Sequence, residues 1–319
     1  MNQVSRRAFQ SAIQLDSEFA AAVIDGLLQD PKTLPCRYFY DARGSALFEE
    51  ITRLPEYYPA RTEVGILRRH ASEMAASVRS GAVLVEFGSG SSRKTEILLE
   101  ALPALAAYVP IDVSDSALGE AAHRLHSRFP FLRVRPVVGN FSDPVEYPAD
   151  IENCEKLGFF PGSTIGNMNE TDAVHLLGQM RRSLSGGRLI VGIDLRKDPK
   201  VLVPAYDDAA GVTAAFNLNL LVRINRELGG SFGVSAFTHR AVYNQAEGRV
   251  EMHLVSERAQ TVRILGHAFK FARGETIHTE NSYKYSVEGF RALSRLAGWT
   301  PQRVWLDDNW LFSVHELVD

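Results

Sequence analysis

The chain has 319 residues, of which 45% are hydrophobic and 23% charged, and 35 Lys plus Arg stand against 38 Asp plus Glu for a formal charge of -3. This mixture excludes a disordered, collagenous or coiled-coil chain, and without a basic excess nothing recruits nucleic acid or an anionic membrane surface. The only cysteines, Cys36 and Cys154, do not form a CxxC pair, which removes a disulfide framework and a thiolate zinc site. The opening stretch, MNQVSRRAFQSAIQLDSEFAAAVIDGLL, carries acids within its apolar part, and no later run approaches about 18 apolar residues. The expectation is a cytoplasmic protein, neither exported nor membrane-spanning, that works as a monomer on a small, weakly charged partner and without a metal.

In chain order, the first 60 residues hold no strand of a parallel sheet, and their tyrosines and prolines read as a lid or as a partner for a later insertion. Helical spacing over 62–80 leads into a branched apolar strand at 82–87, then a helix at 92–103 after a Ser-Ser cap, a strand at 106–113 and a helix at 114–128 opened by Ser114. Strands follow at 133–138, 159–165 and 188–195, with a helix at 172–184 after Thr171. Strands alternating with helices predict a parallel, doubly wound sheet. The pattern stops near Asp198-Pro199. A long helix is expected over 206–228, then strands near 236–243, 249–256, 261–271 and 276–286 with antiparallel character. A helix at 287–297 and strands around 302–306 and 311–317 return to the first style and complete the open sheet. The fold class is therefore α/β, with a smaller α+β domain inserted into it.

The strand at 82–87 ends in Glu86-Phe87-Gly88-Ser89-Gly90, two glycines at the carboxyl edge where open sheets bind ligands. Arg93 stands where a dinucleotide fingerprint wants its third glycine, so a ligand with adenosine but no pyrophosphate is favoured. Asp112, 24 positions after Gly88 at the end of the next strand, suits ribose hydroxyls, and Asn140-Phe141 after the third suits the amino group and face of adenine. S-adenosylmethionine (SAM) matches this inventory, with Lys94 in the following helix available to the methionyl carboxylate. His123 and His126, three apart on a helix with no third ligand nearby, read as a solvated face, as does the Arg68-Arg69-His70 cluster. Asp207-Asp208 read as a cap for the long helix and not as an acid and base pair.

The segments LPCRYFYDARGSALFEEITRLPEYYPARTE, GSTIGN, AYDDAAGVTAAFN and TENSYKY, together with Glu86 to Gly90, resemble the histidine-specific Nα-methyltransferases of ergothioneine biosynthesis along nearly the whole chain. The resemblance implies a Rossmann-like class I SAM-dependent methyltransferase sheet over 62–198 and 287–319. It implies a substrate-binding domain over 1–61 and 199–286, and three methyl transfers from SAM to the α-nitrogen of L-histidine, giving hercynine. Carried over by residue, it puts Gly88, Ser89, Gly90, Lys94, Asp112, Asn140 and Phe141 on SAM. It puts Tyr57, Asn167, Tyr206, Met252, Glu280, Asn281 and Ser282 on the amino acid, with Tyr40 and Tyr57 beside the reacting nitrogen. Asn140 departs from the aspartate the family carries there, but its amide oxygen still accepts a bond from the adenine amino group.

The residue chemistry agrees with these roles. On a strand, Glu280 and Ser282 project to one face while Asn281 and Tyr283 point away, so a carboxylate and a hydroxyl can serve the two imidazole nitrogens. Asn167 and Tyr206 are neutral donors for a carboxylate, and tyrosine faces favour a growing methylammonium. Three rivals remain: a methyltransferase of the same fold acting on another α-amino acid or related amine, an NAD-dependent oxidoreductase, and a SAM-binding regulator without catalysis.

Overall fold

A computed structural model describes residues 17–90, 93–113, 115–139 and 145–319, and divides the chain into two units. The second unit, residues 59–197 and 283–319, is built on a seven-stranded sheet. Its central strand, Val83–Phe87, pairs in parallel with Ala107–Asp112 on one side and Lys156–Phe160 on the other. Val137–Val138 extends the sheet beyond Ala107–Asp112, and Arg188–Asp194 extends it beyond Lys156–Phe160, all in parallel. Phe312–Val318 then pairs antiparallel with Arg188–Asp194, and Thr300–Leu306 closes that edge. The chain leaves Val83–Phe87 towards one edge and returns on its other side. The carboxyl end of that strand is thus the switch point at which α/β sheets bind ligands.

Both faces of this sheet are covered, which is why its strands read as continuous apolar runs. Val83, Val85, Phe87, Val109 and Ile111 pack with Leu176, Leu177 and Met180 of helix Glu170–Leu184 and with Trp299. Leu84, Tyr108, Leu157, Phe159 and Ile190 pack on the other face with Ile66, Leu98 and Leu125. His315 lies fully buried in Phe312–Val318, its ring edge-on to Phe290 at 4.8 Å. Burial, then the nearby Arg291 charge, brings its pKa from 6.5 down to about 3. The fold therefore holds the ring neutral, and as pH falls below the unfolded value near 6.5 the unfolded chain gains a proton that the folded chain refuses. His315→Leu is expected to flatten the stability profile between pH 6.5 and 3, where this one ring costs on the order of 4 kcal/mol. Urea unfolding at pH 7 and pH 4 measures the difference.

Several boundaries differ from the expected ones. The strand expected over 159–165 is Lys156–Phe160. Pro161 and the positive φ angles of Gly162 (86°) and Ser163 (59°) end it early, and Lys156 begins it buried because its ammonium donates to the Glu152 carbonyl at 2.6 Å. Of the expected strand 133–138 only Val137–Val138 is regular, with a single bridge from Val134 to Tyr108. The helix expected over 62–80 is Tyr58–Ala75.

The first unit, residues 1–58 and 198–282, carries a four-stranded sheet ordered Lys32–Thr33, Thr276–Tyr283, Arg249–Ser256, Phe237–Asn244. Lys32–Thr33 pairs in parallel with Ile277 and His278, so the N-terminal segment is part of the sheet that the insertion builds. The expected strand 261–271 is an antiparallel hairpin, Gln260–Ile264 and His267–Phe271, turned at Leu265 (φ 47°) and Gly266 (φ 83°). The long helix begins at Val212, not 206, because Gly211 at φ 74° breaks the backbone and Asp208 accepts from the Val212 and Thr213 amides at 2.9 and 2.8 Å. The units meet along the chain at 58/59, 197/198 and 282/283. The sequence places these boundaries at 61/62, 198/199 and 286/287. The last differs most because Tyr285 bridges to Leu195 and so belongs with the large sheet. No helix among the described residues is long and apolar enough to cross a membrane.

Candidate active site

At the switch point the backbone turns through Gly88 (φ 72°) and Gly90 (φ 47°), conformations that disfavour any side chain. The Gly88 and Ser89 amides donate to the Ile111 carbonyl at 2.9 and 3.1 Å, and the Gly90 amide donates to Asp112 Oδ2 at 2.8 Å. The glycine turn and the acid of the neighbouring strand are thus locked together at the sheet's carboxyl edge. Among the described residues, a side chain built on Gly90 would meet no atom within 4 Å, and the buried Ser89 hydroxyl has no hydrogen-bond partner. An open glycine cradle, an unsatisfied donor and a carboxylate beside them fit the adenosyl and methionyl groups of SAM. Asn140 and Phe141, expected on the adenine, lie outside the described residues.

Beneath this turn Glu86 is fully buried and receives the Tyr108 hydroxyl. Burial raises its pKa from 4.5 to about 7, although Tyr108 and Lys94 pull the other way. The folded chain keeps a proton that the unfolded chain releases, so stability declines as pH rises from 4.5 through about 7. Glu86→Gln is expected to be the more stable protein at pH 8, by at most about 3 kcal/mol, and to lose that advantage near pH 4.5. Thermal melts at the two pH values test it.

Lys94 is partly buried, with 24% of its side chain exposed. Its ammonium is paired with Glu63, a carboxylate with no solvent exposure. Both oxygens of Glu63 also receive the Gly162 amide at 3.0 Å, and an alanine Cβ at Gly192 would lie 2.0 Å from one of them. Glu63 therefore ties the helix carrying Lys94 to the GSTIGN segment, whose 3-10 turn, Thr164–Asn167, ends at Asn167. A side chain on Gly166 would come 2.8 Å from the Tyr283 carbonyl, which explains the glycine inside this motif.

In the first unit the structure gathers most of the remaining predicted residues. The Tyr206 hydroxyl and Ser282 Oγ are 2.7 Å apart and both residues are buried. The Tyr57 ring stands edge-on to Tyr206 at 6.2 Å, and Phe48 joins Tyr57 to Tyr40 through edge-on contacts at 6.3 and 5.6 Å. Burial, and then the negative charge of Glu280, pushes the Tyr40 hydroxyl well above 10, with Tyr57 and Tyr206 contributing further. Met252 is buried, its carbonyl accepting the Thr279 hydroxyl at 3.0 Å. Asn167 belongs to the second unit.

One detail departs from strict strand alternation. The buried positions run Ile277, Thr279, Ser282, so the period of two breaks between Thr279 and Ser282. Asn281 does not simply point away to water, since its Oδ1 is buried and has no hydrogen-bond partner among the described residues.

Sequence reasoning missed three supports of this cluster. Cys36 lies close enough to Glu280 for that charge, after burial, to help raise the thiol to about 12, so it stays protonated. His239 donates from Nε2 to the Tyr206 carbonyl at 2.8 Å, and Asn217 Nδ2 approaches its Nδ1 at 2.9 Å, fixing the tautomer. Asp41 caps helix Ala42–Ile51 through the Gly44 amide at 2.7 Å and also receives Asn219 and Arg226, while a side chain on Gly44 would strike the Phe39 carbonyl at 1.7 Å. These bonds explain the DARGS motif as framework for Tyr40. A lone cysteine or asparagine in a sequence carries no such signal.

Glu251, His253 and His278 bring potential ligand atoms within 4.8 Å of one another. The two imidazoles, however, are stacked at 4.8 Å with 26° between their planes, and ring lone pairs in near-parallel planes do not converge on one ion. Glu251 already accepts from Arg249 at 2.8 Å and Asn244 at 2.9 Å, bonds that outweigh burial and hold it at about 2.

A sheet of five parallel strands closed by an antiparallel pair, with a glycine turn at its switch point and an acid on the next strand, defines a Rossmann-like class I SAM-dependent methyltransferase. Residues 19–319 match the family described as histidine-specific methyltransferase, SAM-dependent, and the chain belongs to that family. It is 43% identical over 289 residues to Histidine N-alpha-methyltransferase of Mycolicibacterium smegmatis, covering 88% of this chain and 89% of that one. Identity to Histidine N-alpha-methyltransferase of Mycobacterium tuberculosis is 42% over 296 residues, covering 90% of each. Ergothioneine biosynthesis protein 1 of Neurospora crassa is 31% identical over 288 residues, which span 88% of this chain and 32% of that longer protein.

Proposed function

We propose that this protein adds three methyl groups to the α-amino nitrogen of L-histidine, giving hercynine, a step of ergothioneine biosynthesis. The observation that carries the reading is the buried Tyr206–Ser282 contact flanked by Tyr57, with the Glu280 charge felt at Tyr40. This gives an aromatic enclosure one carboxylate and one hydroxyl, the complement of an imidazole. In this reading Glu280 and Ser282 serve the two ring nitrogens, and Met252 with Asn281 borders the ring. Asn167 and Tyr206 hold the carboxylate, and Tyr40 and Tyr57 surround the amine. A neutral clamp has a physical reason, because a fixed arginine would add positive charge beside an amine that must react uncharged.

Bound SAM supplies a methyl carbon made electrophilic by its sulfonium. Gly88, Ser89, Gly90 and Asp112 would hold its adenosyl and amino-acid parts, with Asn140 and Phe141 at the base. Lys94, already on Glu63, stands ready for its carboxylate. For the amine, the chain's task is orientation, since an aligned attack at roughly 3 to 3.5 Å supplies much of the rate. The raised Tyr40 hydroxyl remains a phenol at neutral pH, so it acts as a relay, its oxygen accepting the amine's proton as its own hydroxyl proton passes to water, and not as a phenolate base.

Incubation with SAM and each of the twenty amino acids, followed by mass spectrometry, tests the reading. Methylation of histidine alone, advancing to the trimethyl product, is expected. Equal turnover of a second amino acid, or arrest at monomethyl histidine, contradicts it.

A further inference from the structure

Asp194, the last residue of strand Arg188–Asp194, is buried and holds a lysine on each carboxylate oxygen: Lys197 on Oδ1 at 2.6 Å and Lys284 on Oδ2 at 2.7 Å. The Lys284 side chain has no solvent exposure. A buried ion pair is weak evidence of stabilisation, because desolvation offsets the attraction, so its place in the fold is the more informative property.

That place is the turn carrying Asn167. A single 3-10 turn is not self-supporting, and Thr164–Asn167 is pinned from outside. Asp194 reaches it by two routes. Its backbone amide donates to Ser163 Oγ at 2.9 Å, where Ser163 sits at φ 59° at the head of the turn. Its carboxylate fixes Lys284, the residue after Tyr283, and the Tyr283 carbonyl packs so closely on Gly166 that an added Cβ would lie 2.8 Å away. Gly166 immediately precedes Asn167. Lys197 shares the carboxylate and also donates to the Leu195 carbonyl, two residues away in its own segment.

We propose that Asp194 and Lys284 are positioning residues for the amino-acid substrate, holding the 162–167 segment so that the Asn167 amide meets the substrate carboxylate. The inference rests on the reading of Asn167 as a carboxylate clamp. The pair acts through the turn and contacts no reacting atom.

The test is steady-state kinetics of the full chain with histidine, together with calorimetric affinity for S-adenosylhomocysteine, for Lys284→Met, Ser163→Gly, Lys197→Met, Asn167→Ala and the Asn167→Ala/Lys284→Met double variant. Lys284→Met is expected to raise the histidine KM by about tenfold, with S-adenosylhomocysteine affinity changed less than about twofold. Lys197→Met should move KM by less than about twofold, and the double variant should be no worse than Asn167→Ala alone. Ser163→Gly, which removes one route at a backbone conformation glycine accepts, should raise KM by roughly threefold and decides the matter if Lys284→Met does not fold. Unchanged KM in folded Lys284→Met or in Ser163→Gly, while Asn167→Ala is impaired, overturns the positioning role and leaves the clamp standing. Unchanged KM in Asn167→Ala overturns the clamp, and the inference with it. Joint loss of histidine and S-adenosylhomocysteine affinity marks a general structural role and also overturns the proposal.

Discussion

Glu280→Ala raises the histidine Michaelis constant by roughly ten- to a hundredfold and leaves the affinity for S-adenosylhomocysteine within about twofold. The carboxylate is half-buried beside Tyr40 and Cys36, both of which register its charge. An imidazole NH placed there loses its acceptor in the variant, and a buried donor without a partner costs about 1 to 3 kcal/mol. Glu280→Gln keeps an acceptor but not the charge and is expected between the two. Removing the charge also takes away one of the influences that raise the Tyr40 hydroxyl. Spectrophotometric titration should therefore find the phenol ionising at lower pH in Glu280→Ala. Equal weakening of histidine and cofactor would contradict a role at the ring.

Asp112→Ala is expected to lower S-adenosylhomocysteine affinity by about a hundredfold with little change in the melting temperature of the free protein. Hydrogen bonds to a charged acceptor contribute about 1.5 to 3 kcal/mol each, and the ribose has two hydroxyls to offer. The variant also releases the Gly90 amide, which Asp112 holds at 2.8 Å, so the glycine turn loses part of its preorganisation. Asp112→Asn retains an oxygen for that amide and should recover part of the affinity. Calorimetry that finds unchanged binding in Asp112→Ala would remove the acid from the nucleoside site.

The sheet of the second unit was readable because each buried strand is a short apolar run between helical patterns, and the glycines of its switch point have positive φ that few other residues tolerate. Reading failed where a local device overrode the pattern. Lys156 hides the start of a buried strand because two backbone carbonyls satisfy its ammonium, and Gly211 delays a helix that hydropathy alone starts at Tyr206. The tyrosines and Glu280 of the site came from motif resemblance, and their grouping in one unit adds geometry to it. Glu63, Asp194 and His239 escaped notice for a different reason. Each acts through partners distant in sequence, Glu63 on Gly162, Asp194 on Lys284 and His239 on Tyr206, and no short window of residues encodes such a pairing.

The parallel pairing of Lys32–Thr33 with Ile277 and His278 bears on how the protein is made. The two stretches lie 245 positions apart in the sequence, so their pairing closes a long loop. Until it closes, Phe19, Val23, Leu27, Leu34 and Phe39, all buried in the finished protein, remain without their final cover. Contacts so far apart in sequence form late, so the sheet of the first unit is expected to be completed after the central parallel strands of the second unit, whose partners lie nearer in sequence, have condensed.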